Sequence, residues 1–270
     1  MKFFLSLFVF ISVNLEAQEH KLEKIWETDT VIATPESVLP AKNILYVSLI
    51  DGAGWTADGK GGVGKLTQDG KIIDTVWITG LSAPKGMGIA GNRLYAADIN
   101  EVIVIDIEKG KIEKKIKIAN AQGLNDITIS DKGVIYVSDS RANKIWRLQN
   151  DIAELYLDSV TGVNGLKAVG DDLYIGWGKS FVKANSQKQI TKIAEVLQQI
   201  DGIEPVGNGD FILTAWAGYI WYAHAGGKIE TLLETQQQKK NTADIGYDQQ
   251  KRILYVPTFN GKTIAAYRLQ

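Results

Sequence analysis

The chain has 270 residues, of which 30 are basic and 31 acidic, giving a net charge of −1, with 45% hydrophobic and 23% charged residues. Nothing in a balance this even suggests nucleic acid or an anionic membrane as the partner. The absence of cysteine excludes disulfides, thiolate metal sites and a lipid-anchored cysteine.

From the N-terminus, Lys2, the apolar run Phe3 to Val13 and Leu15-Glu16-Ala17 as a tolerable cleavage site read as a secretory signal peptide over residues 1–17. The apolar run is about 11 residues, too short to span a bilayer. The mature chain, 18–270, is therefore expected without a membrane span, in a periplasm or secreted. His20 to Thr30 (HKLEKIWETDT) alternates Leu22, Ile25 and Trp26 with charges, as a strand does.

Asp51 to Gly62 (DGAGWTADGKGG) is a Gly-rich excursion that runs into GKGGVGK, a near match to a phosphate-binding loop. Leu66 stands where Mg²⁺ would need a hydroxyl. The following LTQDGKIIDTVWI reads as strand, turn and strand, without the helix whose N-terminus holds phosphates. No nucleotide is expected. Gly61-Gly62 reads as a turn, with a strand beginning at Val63.

The clearest unit is Gly123 to Leu148, three short strands joined by polar turns. Its aliphatic-Tyr step recurs as Leu45-Tyr46, Leu94-Tyr95, Ile135-Tyr136, Leu173-Tyr174, Phe211-Ile212 and Leu254-Tyr255. A period of about 40–50 residues with four strands per unit is that of propeller blades, and six copies fit a closed ring. No helical periodicity competes. The fold class is thus all-β, one six-bladed β-propeller over residues 18–270. The blades are read as Ser37–Ile78, Gly86–Ile118, Asp126–Leu157, Gly165–Leu197, Gly202–Leu233 and Ile245 to the end. The last repeat shows only three strands, so the N-terminal strand is expected to supply the fourth and close the ring.

Counting back nine or ten residues from each step gives Glu36, Lys85, Asn125, Asn164, Asp201 and Asp244, each at the start of an innermost strand. Those starts converge on the axis, so the six side chains are expected to ring one mouth of the channel. Three carboxylates against one ammonium leave two negative charges, which one divalent cation would neutralise. Hard oxygen donors favour Ca²⁺, with Mg²⁺, Mn²⁺ or Zn²⁺ as substitutes. The bland alternative is a wet channel mouth in which Lys85 pairs with Asp201 or Asp244.

Glu36 in PESV, Asn125 in GLND, Asn164 in VNGL and Asp201 in IDGI resemble the senescence-marker-protein/gluconolactonase (regucalcin-like) family of six-bladed propellers. The resemblance extends through the repeats over the mature chain. It implies a metal-dependent lactone hydrolase in which Glu36, Asn164 and Asp201 hold a divalent cation and Asp201 is also the general base. It further implies that Asn125 contacts substrate, or the metal through water. Sugar-lactone hydrolases of that family typically carry Arg two residues before the blade-three Asn, where this chain has Gly123.

Lys85 would steady a developing oxyanion. Trp55, Trp177 and Trp216 suit the aromatic wall of a small-molecule pocket. Packing between blades is the other reading of Trp177 and Trp216, whereas Trp55, in the Gly-rich excursion, suits a lid. Asn100, Asp139 and Asn260 belong to the same set of loops. The two histidines, His20 and His224, read as surface residues away from the ring. Two functions follow: a secreted or periplasmic metal-dependent hydrolase of a lactone or related ester, or a non-catalytic propeller that binds a small ligand or protein partner on the same face. A propeller of the strictosidine-synthase-like or NHL-like kind, with other chemistry, is a third.

Overall fold

The computed structural model describes residues 20–30 and 32–270; the signal peptide read over residues 1–17 lies outside the described residues. Six four-stranded antiparallel sheets follow one another in order, each a meander. Blade one comprises β2 (Thr34–Ala41), β3 (Ile44–Ile50), β4 (Gly61–Thr67) and β5 (Ile72–Leu81). Blade two comprises β6 (Pro84–Ala90), β7 (Arg93–Asp98), β8 (Glu101–Asp106) and β9 (Lys111–Lys117). Blade three comprises β10 (Leu124–Ile129), β11 (Ile135–Asp139), β12 (Lys144–Gln149) and β13 (Ile152–Leu157). In blade four these are β14 (Val163–Val169), β15 (Asp172–Trp177), β16 (Ser180–Ala184) and β17 (Ile190–Glu195). In blade five they are β18 (Ile203–Gly207), β19 (Asp210–Ala215), β20 (Tyr219–Ala223) and β21 (Ile229–Glu234). Blade six comprises β22 (Gly246–Asp248), β23 (Ile253–Pro257), β24 (Ile264–Leu269) and, as its outer strand, β1 (Leu22–Glu27).

The ring therefore closes as the repeat count requires. β1 pairs antiparallel with β24, Leu22 opposite Leu269 and Glu27 opposite Ala265, so the edge of β24 is covered. Glu27 fixes the join: burial alone would push its carboxyl up, but hydrogen bonds from Lys24, Lys240 and Thr263 hold it at about 2.

The core lies between blades rather than within them. Alternating side chains on each sheet face meet the next sheet, as Tyr46, Val63, Leu94 and Ile103 do between blades one and two. Phe181, Phe211 and Trp221 fill the wedge between blades four and five, and Ile212, Tyr222, Leu254 and Val256 the next one. The aliphatic-Tyr step recurs because each second strand must serve two such wedges.

The GKGGVGK stretch lies in β4, and its glycines are chosen for closeness rather than for turning. A Cβ on Gly62 would stand 2.2 Å from the carbonyl oxygen of Ile78, and one on Gly61 2.6 Å from that of Ser82. The expected Gly61-Gly62 turn is thus the first step of the strand.

Inner strands crowd further near the axis. Gly86, Gly165 and Gly202 each follow a residue of the expected ring, and a Cβ on Gly165 would lie 1.9 Å from the carbonyl oxygen of Asp201. Gly165→Ala should therefore destabilise the protein by about 1–3 kcal/mol through overpacking. Gly226→Ala, where a Cβ meets nothing within 4 Å, should stay within about 0.5 kcal/mol. Urea denaturation of the two variants makes the comparison, and equal stability would contradict this packing.

Candidate functional site at the channel mouth

In blades one to four the inner strand carries one more residue than its partner at its start, between Pro35 and Val38, Pro84 and Met87, Leu124 and Ile127, and Val163 and Leu166. These are β-bulges, which re-aim side chains. The bulged pairs are Glu36-Ser37, Lys85-Gly86, Asn125-Asp126 and Asn164-Gly165; Asp201-Gly202 holds the same place in blade five, bracketed by bonds to Thr214. The first residue of each pair turns to the mouth. Where a hydroxyl is available on the second strand, it takes up the displaced backbone N–H of the second residue. Ser37 N donates to Ser48 Oγ at 2.9 Å, Asp126 N to Ser138 Oγ at 2.8 Å and Gly202 N to Thr214 Oγ1 at 2.8 Å.

The five side chains Glu36, Lys85, Asn125, Asn164 and Asp201 line one cavity of about 300 Å³, together with Trp55, Ser140, Gln199, Trp216 and Phe259. Asp244, the sixth member of the expected ring, is not there. In blade six Gly246 pairs with Tyr255 itself, whereas elsewhere the residue after the Tyr takes that place, as Val47 does opposite Val38. The register slips by one, and Asp244 stands beside Ser37 as its parallel bridge partner. Its Oδ2 accepts a 2.6 Å bond from Ser37 Oγ. It lines a deeper pocket of the channel with Asp126, Lys167 and Glu204, the last two paired at 2.8 Å.

Within the mouth, Asn164 Nδ2 donates to Asp201 Oδ1 at 2.7 Å and Asn125 Nδ2 to Ser140 Oγ at 3.1 Å. Lys85 Nζ donates to the carbonyl oxygens of Gly54 and Ala83, at 2.8 and 3.3 Å, and lies 4.2 Å above the Trp55 ring. Glu36, only 5% exposed, has one carboxylate oxygen, Oε2, buried with no hydrogen-bond partner. Burial, with the neighbouring charge of Asp244 behind it, raises Asp201 to about 8. Burial likewise holds the Glu36 carboxyl well above the usual range against the pull of Lys85, and pushes Lys85 down despite Glu36, Asp98 and Asp201.

Two desolvated carboxylates, one with an orphaned oxygen, beside a side-chain amide make a donor set of the kind a hard divalent cation takes. Lys85 alone cannot satisfy them, because its hydrogen bonds go to main-chain carbonyls.

The aromatic residues divide. Trp55 and Trp216 line the cavity; besides Lys85, the Arg141 guanidinium lies 5.9 Å from the Trp55 ring. Trp177 does not line it: it ends β15 opposite Val163 and Ser180 and packs against the core between blades three and four. Packing between blades is thus the reading that describes Trp177. Asp139 is fully buried rather than part of a loop. It accepts from the main-chain N–H of Gln122, Gly123 and Ala142 and so holds the start of β10 in place. Asp98 does the same for Ser82 and Ala83, just before Lys85. The Asp three residues after Tyr95 and Tyr136 was the signal for this.

Phe259 gave no such signal. It sits at φ 45°, where bulky residues are rare, with its ring edge-on to Trp216 at 5.6 Å. Gly123 is a matter of space, since a Cβ there would stand 2.6 Å from Arg141 Cγ and 2.8 Å from the Trp55 ring. Arg141 thus occupies the room that a side chain at 123 would need.

No protein-family profile and no curated protein matches this sequence. Solved structures match its fold. The virginiamycin B lyase of Staphylococcus aureus aligns at 16% identity with a TM-score of 0.64, covering 93% of this chain and 99% of its own. A streptogramin B lyase aligns at 13% identity and TM-score 0.63, over 93% and 98%. A Bacteroides thetaiotaomicron protein of unknown function aligns at 14% and 0.69, over 94% and 77%. The chain is a six-bladed β-propeller whose fold is similar to these structures, and at such identities the likeness is one of fold alone.

Asp201 near 8 and Asp244 near 7 both bind their protons more tightly folded than at the ordinary carboxylate value of 3.8. The sign follows: this stability is complete below that value and is lost as pH rises through about 7 to 8. In metal-free protein, Asp201→Asn and Asp244→Asn should each gain stability relative to the parent as pH is raised from about 5 to about 9. Denaturation midpoints across that range measure it; variants that track the parent would contradict the assignment.

Proposed function

We propose that the protein is a divalent-metal-dependent hydrolase of a lactone or related ester, of the gluconolactonase-like type, with its active site at the channel mouth. The observation that carries this reading is the pairing of two buried carboxylates, Glu36 and Asp201, one with an unpartnered oxygen, beside Asn164 in an open cavity. Glu36, Asn164 and Asp201 would hold the cation, with Ca²⁺ first because every donor is oxygen. Bound there, it would supply Lewis acidity toward a carbonyl and a water of lowered pKa.

The chain's own groups have distinct tasks. Asp201, as a carboxylate, accepts a proton from the attacking water, and its hydrogen bond from Asn164 fixes which oxygen faces the cavity. Lys85 places a positive charge at the cavity wall, where negative charge develops on the carbonyl oxygen. Asn125 and Ser140 offer polar contacts to substrate, and Trp55 and Trp216 an apolar wall. Arg141 and Lys85, both near the Trp55 ring, favour a substrate bearing an anionic group.

Two structures of similar fold are named as lyases, so enzymatic chemistry is compatible with the fold. With residues 1–17 as a signal peptide, the enzyme would work in a periplasm or outside the cell, where Ca²⁺ sites of modest affinity are filled.

The test is a panel of lactones and aryl esters with Ca²⁺, Mg²⁺, Mn²⁺ or Zn²⁺ added to chelator-treated protein. Hydrolysis should require metal and fall about 100-fold or more in Asp201→Asn, while Glu36→Ala should raise the metal concentration needed for half-maximal rate. Undiminished hydrolysis by Asp201→Asn would overturn the role of that residue. The absence of metal-dependent turnover on every substrate would leave a propeller that binds a small ligand or protein partner on the same face.

A further inference from the structure

In each blade the loops between first and second and between third and fourth strands emerge on the face opposite the mouth. There His224 follows β20, Glu230 lies at the start of β21, and His20 lies just ahead of β1. The chain's two histidines, read from the sequence as unrelated surface residues, therefore meet, although more than 200 positions separate them.

Their geometry is that of a ligand set. His224 Nε2 lies 2.5 Å from Glu230 Oε1 and His20 Nδ1 3.4 Å from Glu230 Oε2. One donor atom from each residue falls within 4.8 Å of the others. The Glu230 side chain is 6% exposed, and those of His20 and His224 are 21% and 19% exposed, so the set is sheltered yet reachable. The His20 ring is stacked on Tyr222, with centroids 3.8 Å apart and planes 9° apart, and the Tyr222 hydroxyl donates to Asp210 Oδ2 at 2.7 Å. His20 N also donates to Glu230 Oε2 at 3.2 Å. One imidazole is thus held by a platform, and the carboxylate by both histidines.

We infer that His20, His224 and Glu230 form a second metal site, for zinc or a similar borderline cation, which clamps the start of the closing strand onto blade five. Two imidazoles and one carboxylate are a set that zinc takes in tetrahedral geometry, with water completing the shell. Imidazole donors select against Ca²⁺ and Mg²⁺, so the site differs in chemistry from the all-oxygen mouth. Around zinc, neighbouring donors lie about 3.3–3.5 Å apart. The observed spread closes to that by small side-chain rotations, the short His224–Glu230 contact lengthening as the metal replaces its proton. The consequence is mechanical: His20 leads into β1, the strand that closes the ring, so metal bound here resists opening of the propeller at its seam.

The test uses tag-free, chelator-treated protein titrated with ZnCl₂ by calorimetry, alongside CoCl₂ followed by the visible absorption of tetrahedral Co(II). Glu36→Ala/Asp201→Asn, which disables the mouth, should still bind zinc and still show the cobalt spectrum. His224→Ala and the milder Glu230→Gln should each weaken zinc binding at least about 10-fold and lose that spectrum. The rise in thermal midpoint that zinc gives the parent should vanish in both. Zinc binding unchanged in both variants, or lost only with the mouth residues, would overturn the site. A parent protein that binds no zinc at micromolar concentration would do the same. Because the mouth variant is measured separately, failure here leaves the hydrolase reading standing, and the reverse holds too.

Discussion

The bulge at the start of the inner strand in blades one to four is the constraint on which the site depends. A regular ladder would send alternate side chains into the wedges between blades. One extra residue turns Glu36, Lys85, Asn125 and Asn164 toward the axis instead, and the following residue must then be small or find another partner for its N–H. Hydroxyls on the second strand supply that partner in three blades, and glycine supplies the smallness in three. The site residues are thus held by main-chain geometry fixed at both ends, with Asp98 and Asp139 anchoring the preceding segments.

Electrostatics follows from the same convergence. Bringing carboxylates to an axis strips them of water, and the deeper channel layer adds Asp126 and Asp244 beneath them. The cost appears as raised proton affinity: Asp201 moves to about 8 and Asp244 to about 7. Lys85 relieves part of it without forming a direct pair, and Glu36 Oε2 keeps no partner at all. A cation at Glu36, Asn164 and Asp201 would displace those protons, so the layer that makes the metal-free state costly is also what would make binding favourable.

Much of the fold was legible because its signal repeats. Five aliphatic-Tyr steps and Phe211-Ile212 fix six second strands, and a last repeat lacking one strand fixes the closure by β1. The mouth was legible for five residues for the same reason, since an offset of nine or ten residues from those steps marks the start of the inner strand. Asp244 broke the rule because β22 and β23 pair in a register one residue apart from the other blades, which composition does not encode. Trp177 was ambiguous because a tryptophan at a strand end serves wedge and pocket equally well until its neighbours are known. Phe259 and the His20–His224–Glu230 cluster depend on contacts between blades five and six, and no local pattern reports those.

The central claim is that one divalent cation sits among Glu36, Asn164 and Asp201 at the channel mouth. A crystal grown with Mn²⁺ and measured for anomalous scattering tests it most directly. The account predicts a peak at the mouth, bonded to oxygens of all three side chains at about 2.0–2.6 Å, as hard cations bind. A mouth with no such peak, in which the Lys85 ammonium has swung into contact with Glu36 and Asp201, would contradict it.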